Sequence, residues 1–362
     1  MRVIVAGTVA GVPGQGGAVW AVMQYALGLR RLGHDVILAE PVDGIADAAS
    51  AFTEILHPFG VDGALVERGS GRIWGSGAQR LASGADVLLN LSGVLADDRL
   101  LARTGLRVFV DLDPAFTQLW HAVEGIDVGL DRHEAFVTVG RGIGSPRCGI
   151  PDCGRHWLTT PQPVVLEHWP FAGPARRRAV TTVGHWRSYG SVSYRGVLYG
   201  QRAHSMRTLL SLPSLTTATL RPAIAIHPGE REDRTALRAH GWRLTDPSRV
   251  AATPHAYRSF VQGSWAEIGI AKLGYAVSQC GWFSDRSVCY LASGRPVVAQ
   301  DTGFGTWLPT GSGVLAYRTA DEAADALDQV KADYRRHRRA ARKLAEDVFE
   351  SDHVLGELLR CL

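Results

Sequence analysis

Residues 278–287 combine a glycine-containing loop, the start of a helix and charged side chains. Ser284 is placed to cap that helix, and Asp285 would lie in its first turn, where the helix dipole favours a carboxylate. A helix N-terminus presents unpaired N–H groups and partial positive charge, which suits phosphate binding without a metal. The pattern therefore predicts a diphosphate site that includes Phe283, Ser284 and Asp285. The alternative is that Ser284 and Asp285 only cap the helix.

A bound diphosphate also needs cations. Arg286 is permanently charged and can bind phosphate through two parallel N–H groups. Lys272 precedes the same loop, and Arg187 follows an apolar segment that reads as a strand. The sequence predicts these three as phosphate-binding residues. Each is equally consistent with an ordinary surface residue.

Two loops are expected at the carboxyl ends of strands, where open α/β sheets bind their ligands. Asp301, Thr302 and Gly303 follow one strand, and Asp113 follows another as part of Asp-Leu-Asp. Asp301 is predicted to bind a ligand there, the alternative being a turn in which it accepts backbone N–H groups. Asp113 is predicted to be the general base for an acceptor, the alternative being a helix cap.

Two further features complete the predicted site. His133 is a second candidate base, although a single histidine is also compatible with a structural role. The loop of residues 11–17 is rich in glycine. Its topology predicts that Gly14, Gly16 and Gly17 face the ligand cleft, and a flexible loop without a role is the alternative.

The surrounding pattern is that of alternating strands and helices. A buried strand, the glycine loop, a helix ended by Gly33 and a second strand make one βαβ unit. Further strands and helices follow, including one long helix expected over residues 320–349. A proline-rich stretch near residues 160–180 reads as a linker. The prediction is an α/β chain with two Rossmann-like domains facing a cleft, residues 1–172 on the acceptor side and 173–362 on the donor side.

Composition narrows the function classes. The chain has 362 residues with 39 Lys+Arg against 35 Asp+Glu, a net charge of +4 that does not argue for nucleic-acid binding. The five cysteines, the lack of a signal peptide and the lack of a membrane-length apolar run predict a cytoplasmic protein. No set of Cys and His residues has metal-ligand spacing, so no metal is expected. Oligomeric state is left open.

Residues 291–298, Leu-Ala-Ser-Gly-Arg-Pro-Val-Val, resemble the A-S-G-x-P-V-V signature of GT-B glycosyltransferases, and Gly33-His34-Asp35-Val36 resembles the G-H-x-V segment of their N-terminal lobe. The resemblance implies a metal-independent transferase of the family 1 or family 4 type. It would move a sugar from a nucleoside diphosphate donor such as a UDP-sugar to a hydroxyl or amine of a small-molecule acceptor. It also makes the last helix a candidate to pack back on the N-terminal lobe.

In such an enzyme Asp301 would hold a sugar hydroxyl, as the acid of the family's Asp-Gln pair does, with Thr302 in place of the amide. Gly14, Gly16 and Gly17 would face the acceptor or approach the donor phosphate. The composition, rich in Ala, Arg and Gly, is typical of a bacterial source.

One departure from that family affects the chemistry. The retaining branch carries two glutamates that contact the donor, and in this register their positions hold Gly281 and Cys289. Neither side chain accepts a hydrogen bond as a carboxylate does. Asp285, one turn before Cys289, is predicted to take over the ribose contact. Retention or inversion and the identity of the donor stay open.

Three other functions compete with sugar transfer. Glu40 lies near the offset expected in a dinucleotide-binding dehydrogenase, but Gly14-Gln15-Gly16-Gly17 does not have the G-x-G-x-x-G spacing. A nucleotide-sugar 2-epimerase would share the two-domain fold. An inactive sugar-nucleotide-binding protein is the third alternative, because the two glutamates are missing.

Overall fold

The computed structural model describes all 362 residues and contains two main sheets and one small hairpin. The strands are β1 Arg2–Ala6, β2 Asp35–Val42, β3 Gly63–Glu67, β4 Ile73–Trp74, β5 Ala85–Leu91, β6 Thr104–Asp111, β7 Ala135–Thr138, β8 Trp157–Thr159, β9 Val180–His185, β10 Val192–Tyr194, β11 Val197–Tyr199, β12 Leu220–Ala225, β13 Ala266–Gly269, β14 Val297–Gln300 and β15 Val314–Tyr317.

The helices surround these sheets. They are α1 Gly16–Arg31, α2 Ile45–Leu56, α3 Ala78–Ala82, α4 Asp98–Leu101, α5 Phe116–Ala122, α6 Arg202–Thr208, α7 Leu212–Leu215, α8 Arg231–Ala239, α9 Pro247–Val250, α10 Pro254–Gly263, α11 Leu273–Ser278, α12 Asp285–Ala292, α13 Ala320–Ala332, α14 Tyr334–Leu344 and α15 Ser351–Cys361. Short 3-10 helices cover His57–Phe59, Leu130–Arg132 and Phe304–Thr306, and a π-helix covers Ala345–Phe349.

The N-terminal sheet has the strand order β4-β3-β2-β1-β5-β6-β7-β8, and every pair in it is parallel except β3 with β4. The strand order reverses beside β1, so the loops after β1 and β5 diverge there. Open α/β sheets bind their ligands in the crevice at such a point. The sheet is buried on both faces, which explains why its strands read as continuous apolar runs.

The C-terminal sheet has the order β12-β9-β13-β14-β15, and all its pairs are parallel. Its helices cover both faces, as in a doubly wound fold. The strands expected from the apolar runs in both halves of the chain are present. Residues 160–179, between the two sheets, contain no helix or strand. The expected boundary at residues 172 and 173 falls within this stretch and stays a prediction.

The expectation of one long helix over residues 320–349 is wrong. Asp333 lies between α13 and α14 with non-helical backbone angles, φ −139° and ψ 65°. Its carboxylate accepts a hydrogen bond from the Arg336 N–H at 3.1 Å and so caps the start of α14. The chain turns at Asp333, which lets α14 pack against α12.

The last helix, α15, packs on α1 of the N-terminal lobe. Gly28 makes this close approach feasible, since a Cβ there would lie 2.6 Å from the Leu355 side chain. Arg31 and Asp352 form an ion pair of 2.9 Å across the same contact. The chain therefore returns to its first lobe after completing the second. None of its helices is both long enough and apolar enough to cross a membrane.

Candidate functional site

A cleft of about 660 Å³ lies between the two lobes, at the carboxyl ends of the strands of both sheets. The N-terminal lobe contributes the glycine loop and the residues after β6, and the C-terminal lobe contributes the residues after β9, β12 and β13. Its charged, polar and aromatic lining side chains include Asp113, His185, Tyr189, Arg202, Lys272, Tyr275, Trp282, Ser284, Asp285 and Arg286. We call this space the interlobe cleft.

Arg202, at the start of α6, places a buried cation on the cleft wall and is 8% exposed. Its Nε donates to the Ile270 carbonyl at 2.8 Å and its Nη1 to the His185 carbonyl at 2.7 Å. No carboxylate bonds to it, and burial lowers its pKa to about 10. A buried guanidinium without an acidic partner is costly unless an anion meets it. Arg202 is therefore a candidate for binding an anion in the cleft.

The N-terminus of α12 faces the same cleft. Ser284 caps the helix, its hydroxyl accepting the Arg286 N–H at 3.2 Å. The Asp285 carboxylate lines the cleft, and its one hydrogen bond comes from the neighbouring Ser284 hydroxyl at 3.2 Å. Ser284 therefore caps the helix, and both Ser284 and Asp285 line the cleft as well. Asp285 remains free to accept hydrogen bonds from a ligand.

Arg286 differs from Arg202 because it has a carboxylate partner. It pairs with the fully buried Glu267 at 2.5 Å and also donates to the Val183 carbonyl at 3.0 Å. Burial lowers the pKa of Arg286, but the Glu267 carboxylate outweighs that effect and the net shift is upward. The charge of Arg286 is thus largely balanced inside the protein. It is a weaker candidate than Arg202 for binding an anion.

An ion pair crosses the cleft between the lobes. The Lys272 ammonium lies 2.9 Å from Asp113, and both groups line the cavity. Tyr189 and Tyr275 also donate hydrogen bonds to the Asp113 carboxylate. Burial lowers the pKa of Lys272, and the Asp113 charge opposes this. A ligand group can hydrogen-bond to the Asp113 carboxylate only by replacing one of these three donors.

Aromatic rings enclose this pair. The ring of Tyr189 lies 4.1 Å from the Lys272 ammonium and packs edge-on against Phe116 and Trp120. Burial raises the pKa values of Tyr189 and Tyr275, so both phenols keep their protons and act as donors. A low-dielectric surrounding of this kind strengthens each charge–charge contact within it.

Asp111 positions Asp113 from below. It is fully buried and accepts hydrogen bonds from Thr117, Gln118 and Thr138 at 2.7–2.9 Å. It also accepts the Asp113 N–H at 3.0 Å, and burial raises its pKa. Ala115, two residues beyond Asp113, has a φ of +76°, which a non-glycine residue rarely adopts. This tight turn directs Asp113 into the cleft while Asp111 stays beneath it.

No protein-family model matches the chain, and no curated sequence matches it. Solved structures do match along the whole chain. HepE of Anabaena, solved with UDP and glucose, has 13% identity and a TM-score of 0.57, with 100% of both chains covered. A sucrose-phosphate synthase from Thermosynechococcus elongatus has 11% identity and a TM-score of 0.56, covering 100% of this chain and 99% of that one.

An alpha-glucosyltransferase, solved with UDP and a 13-mer DNA containing an HMU base, has 11% identity and a TM-score of 0.63. The match covers 99% of this chain and 98% of that chain. Together with the two parallel sheets and the cleft between them, these likenesses decide the fold. The chain has the GT-B fold. Identities this low show the fold alone.

Within this GT-B fold, seven of the predicted site residues line the interlobe cleft. The N-terminal lobe supplies Gly14, Gly17 and Asp113, and the C-terminal lobe supplies Lys272, Ser284, Asp285 and Arg286. The donor, base and acceptor roles assigned to them stay predictions. What the structure adds is that residues far apart in the chain meet in one cavity.

Other predicted site residues lie outside the cleft lining. Asp301 binds Arg318 at 2.7 Å and accepts the Gly303 N–H at 2.8 Å, so both of its oxygens are engaged. Thr302 donates to the Trp282 carbonyl, and a Cβ on Gly303 would lie 2.9 Å from the Gln279 carbonyl. This loop supports the back of the segment around Trp282.

Four further predicted residues take other places. His133 is buried; its Nδ1 lies 2.7 Å from the Gly129 carbonyl oxygen, and its Nε2 lies 3.0 Å from the Asn90 side-chain nitrogen. Phe283 belongs to the apolar core. Arg187 pairs with Glu230 at 2.5 Å on a neighbouring basic cavity. Gly16 is a point of lobe contact, where its N–H donates to the Ala251 carbonyl at 2.8 Å.

Glu40 has a structural role that bears on the dehydrogenase alternative. It is fully buried, and its carboxylate accepts the N–H groups of Val9, Ala10 and Gly11 at 2.7–3.0 Å. Because its oxygens hold the glycine loop, Glu40 is not available to bind a ribose. This arrangement disfavours dinucleotide binding at the first βαβ unit.

Sequence reasoning missed Arg202, His185, Tyr189 and Tyr275, which all line the cleft. Burial, Arg202 and Lys272 together lower the pKa of His185. A signal for Arg202 existed, because it begins a helix shortly after Gly200. No group of three or more His, Cys, Asp or Glu side chains is arranged to hold a metal ion. Metal independence itself stays a prediction.

Proposed function

We propose that this chain is a glycosyltransferase that moves a sugar from a nucleoside diphosphate donor to a hydroxyl or amine of a small-molecule acceptor in the interlobe cleft. The observation that carries the proposal is Arg202. It is a buried cation without a carboxylate partner, on the wall of a cleft that also receives the N-terminus of α12. A diphosphate supplies the missing negative charge.

The donor diphosphate would lie between Arg202 and the first N–H groups of α12. Arg202 still has Nη2 free of hydrogen bonds within the protein, and helix N-termini favour phosphate oxygens. Asp285 would accept hydrogen bonds from the ribose or the sugar. UDP is the first nucleotide to test, because HepE and the alpha-glucosyltransferase were both solved with UDP.

Transfer would proceed by replacing one bond with another at the anomeric carbon. The acceptor oxygen or nitrogen bonds to that carbon, the bond to the diphosphate oxygen breaks, and the leaving diphosphate keeps the electron pair. Asp113 would take the acceptor proton once the acceptor displaces Lys272 or a tyrosine hydroxyl. Arg202 and the α12 amides would stabilise the charge that develops on the leaving group.

Arg202 and the α12 amides supply the charge compensation that a departing diphosphate needs, so we propose transfer without a metal. The acceptor is proposed to be a small molecule, although the alpha-glucosyltransferase was solved with DNA. The lining near Asp113 is aromatic, with Tyr189, Tyr275 and Trp282 around it, and this favours a small organic acceptor over a nucleic-acid backbone. Closure of the lobes would exclude water.

Calorimetric titration with UDP tests the donor site. Wild type should bind one UDP and should not bind NAD. Arg202→Met should weaken UDP binding roughly tenfold to hundredfold, the range of a charge-assisted hydrogen bond. Arg187→Met is the matched control, because Arg187 already pairs with Glu230 outside the cleft, and it should bind UDP as wild type does. Equal affinities of wild type and Arg202→Met would overturn the site.

Product formation tests the reaction itself. UDP-sugars should be converted only when an acceptor from a panel of small hydroxyl and amine compounds is present. Conversion of the donor alone into an epimer would identify an epimerase. Tight UDP binding with no product from any donor and acceptor would show that the protein binds sugar nucleotides without transferring the sugar.

A further inference from the structure

A second cavity of about 460 Å³ lies beside the interlobe cleft, and the proposed transfer does not use it. Its walls come from the N-terminal lobe at residues 9–20 and 51–59, from the C-terminal lobe at residues 252–258, and from His168 in the segment between the lobes. We call it the hinge cavity. Its size suits a small organic ligand.

The hinge cavity has an apolar body. Trp20 and Phe59 meet edge to face with ring centroids 5.1 Å apart, and Val19, Ala51 and Ile55 complete the apolar wall. The Trp20 indole N–H is already used, since it donates to the Pro254 carbonyl at 2.9 Å and so joins the two lobes. An apolar occupant would find few unpaired polar groups here to desolvate.

One charge in the wall lacks a partner. Arg258 is half-buried, makes no ion pair, and has only a 3.4 Å hydrogen bond to the His168 carbonyl. The carboxylate in the lining, Glu54, is exposed and accepts a hydrogen bond from Ser50. The Arg258 guanidinium therefore favours an anionic group on the ligand. An apolar molecule with one acidic group fits both the walls and the charge.

The hinge cavity and the interlobe cleft share a wall. Pro13, Gly14 and Gln15 of the glycine loop line both. Next to them, the Gly16 N–H donates across the lobes to the Ala251 carbonyl at 2.8 Å. A hinge-cavity ligand would contact both lobes and this loop at once, and would favour the arrangement in which they touch. Asp113 does not line the cavity, so its occupant is not presented to the proposed base.

We propose that the hinge cavity binds a small apolar acid and that this ligand strengthens nucleotide binding in the interlobe cleft. The binding is independent of the proposed function, and only the coupling rests on it. Because both ligands favour the same arrangement of loop and lobes, each should raise the affinity of the other by the same factor.

The test uses 8-anilinonaphthalene-1-sulfonate as the probe, since it combines aromatic rings with one sulfonate and fluoresces when bound. Wild type should bind one dye molecule. Ala51→Trp fills the cavity and should abolish binding. Ala46→Trp is the matched control on the exposed face of the same helix and should bind as wild type does. Arg258→Gln should weaken binding about tenfold.

Saturating UDP should not displace the dye and should tighten its binding about fivefold or more. Displacement by UDP, or equal dye binding by Ala51→Trp and Ala46→Trp, would overturn the proposal. A loosened, partly folded Ala51→Trp protein would bind more dye, not less, and Arg258→Gln would then decide. Dye binding with the expected variant pattern but no UDP binding would leave the hinge cavity standing and remove the proposed function.

Discussion

The loops that follow β13 and β14 both come from carboxyl ends of neighbouring strands, yet only one reaches the interlobe cleft. The segment after β13 brings Lys272, Ser284 and Asp285 to the cavity. The segment after β14 carries Asp301, whose oxygens are engaged by Arg318 and the Gly303 N–H. One loop forms the wall, and the other braces it from behind.

The difference shows how local partners decide what a carboxylate can do. Asp285 has a single weak bond from its neighbour Ser284 and faces the cavity. Asp301 has an arginine and a backbone amide as partners and does not line the cavity. Strand topology limits where ligand-binding residues can be. It does not say which of them already have partners within the protein.

The largest expected effect is at Asp113, the carboxylate that the N-terminal lobe contributes to the cleft. Asp113→Asn removes the proposed base and should lower kcat about 10²–10⁴-fold. UDP affinity should be nearly unchanged, because Arg202 and α12 are untouched. Steady-state kinetics and calorimetry measure the two quantities. Thermal unfolding serves as a control, because Lys272 loses its charge partner. Full turnover by the variant would contradict the base assignment.

Asp285→Ala sharpens the comparison from the cleft side. Loss of a charged acceptor for the ribose or sugar should raise KM for the donor roughly tenfold. The thermal unfolding midpoint should stay close to that of wild type, since Asp285 has no partner beyond Ser284. Donor kinetics at fixed acceptor measure this effect. An unchanged KM would mean that the carboxylate does not touch the donor.

Asp301→Asn is the variant that can break the comparison. If the loop only braces the wall, KM and kcat should change less than about threefold while unfolding becomes easier by about 1 kcal/mol. The Arg318 partner is largely exposed, so its ion pair contributes little. A loss of activity as large as that of Asp285→Ala, without a loss of stability, would restore the sugar-binding role predicted from the sequence.

The smallest effect concerns His133, the other candidate base. Burial lowers its pKa, so the unfolded chain binds a proton near pH 6.5 where the folded chain does not. Stability from this group is therefore present above that pH and is lost as the pH falls below it. His133→Gln should reduce the slope of unfolding free energy against pH by up to about 1.4 kcal/mol per unit.

Denaturant unfolding between pH 7 and pH 5 measures that slope, with the exposed His255→Gln as control. His133→Gln should also retain most of its transferase activity, because the histidine lies outside the cleft lining. An activity loss comparable to that of Asp113→Asn would return His133 to the catalytic machinery.

Local patterns predicted much of the fold. The apolar runs at β1 and β14 and the glycine that ends α1 are signals carried by a few adjacent residues. The two strands and the end of the helix lie where these signals predicted them. The prediction of one long helix was wrong because Asp333 caps a new helix. The sequence around Asp333 is equally compatible with continuation of the first helix. The relation of the two lobes came from the family resemblance, not from any single pattern.

The site was only partly predictable, because its contacts join distant parts of the chain. Asp113 and Lys272 are 159 residues apart, and nothing local marks them as partners. Arg202 reaches the cleft because Gly184 has no side chain, as a Cβ there would lie 2.5 Å from the guanidinium. Such complementarity between separate segments appears only once the chain has folded.

A crystal structure with UDP bound tests the central claim most directly. The diphosphate oxygens should lie within hydrogen-bonding distance of the Arg202 guanidinium and of the first N–H groups of α12, with Asp285 near the ribose. A diphosphate bound instead beside Arg187 and Arg234, in the basic cavity that Arg202 does not line, would contradict the account.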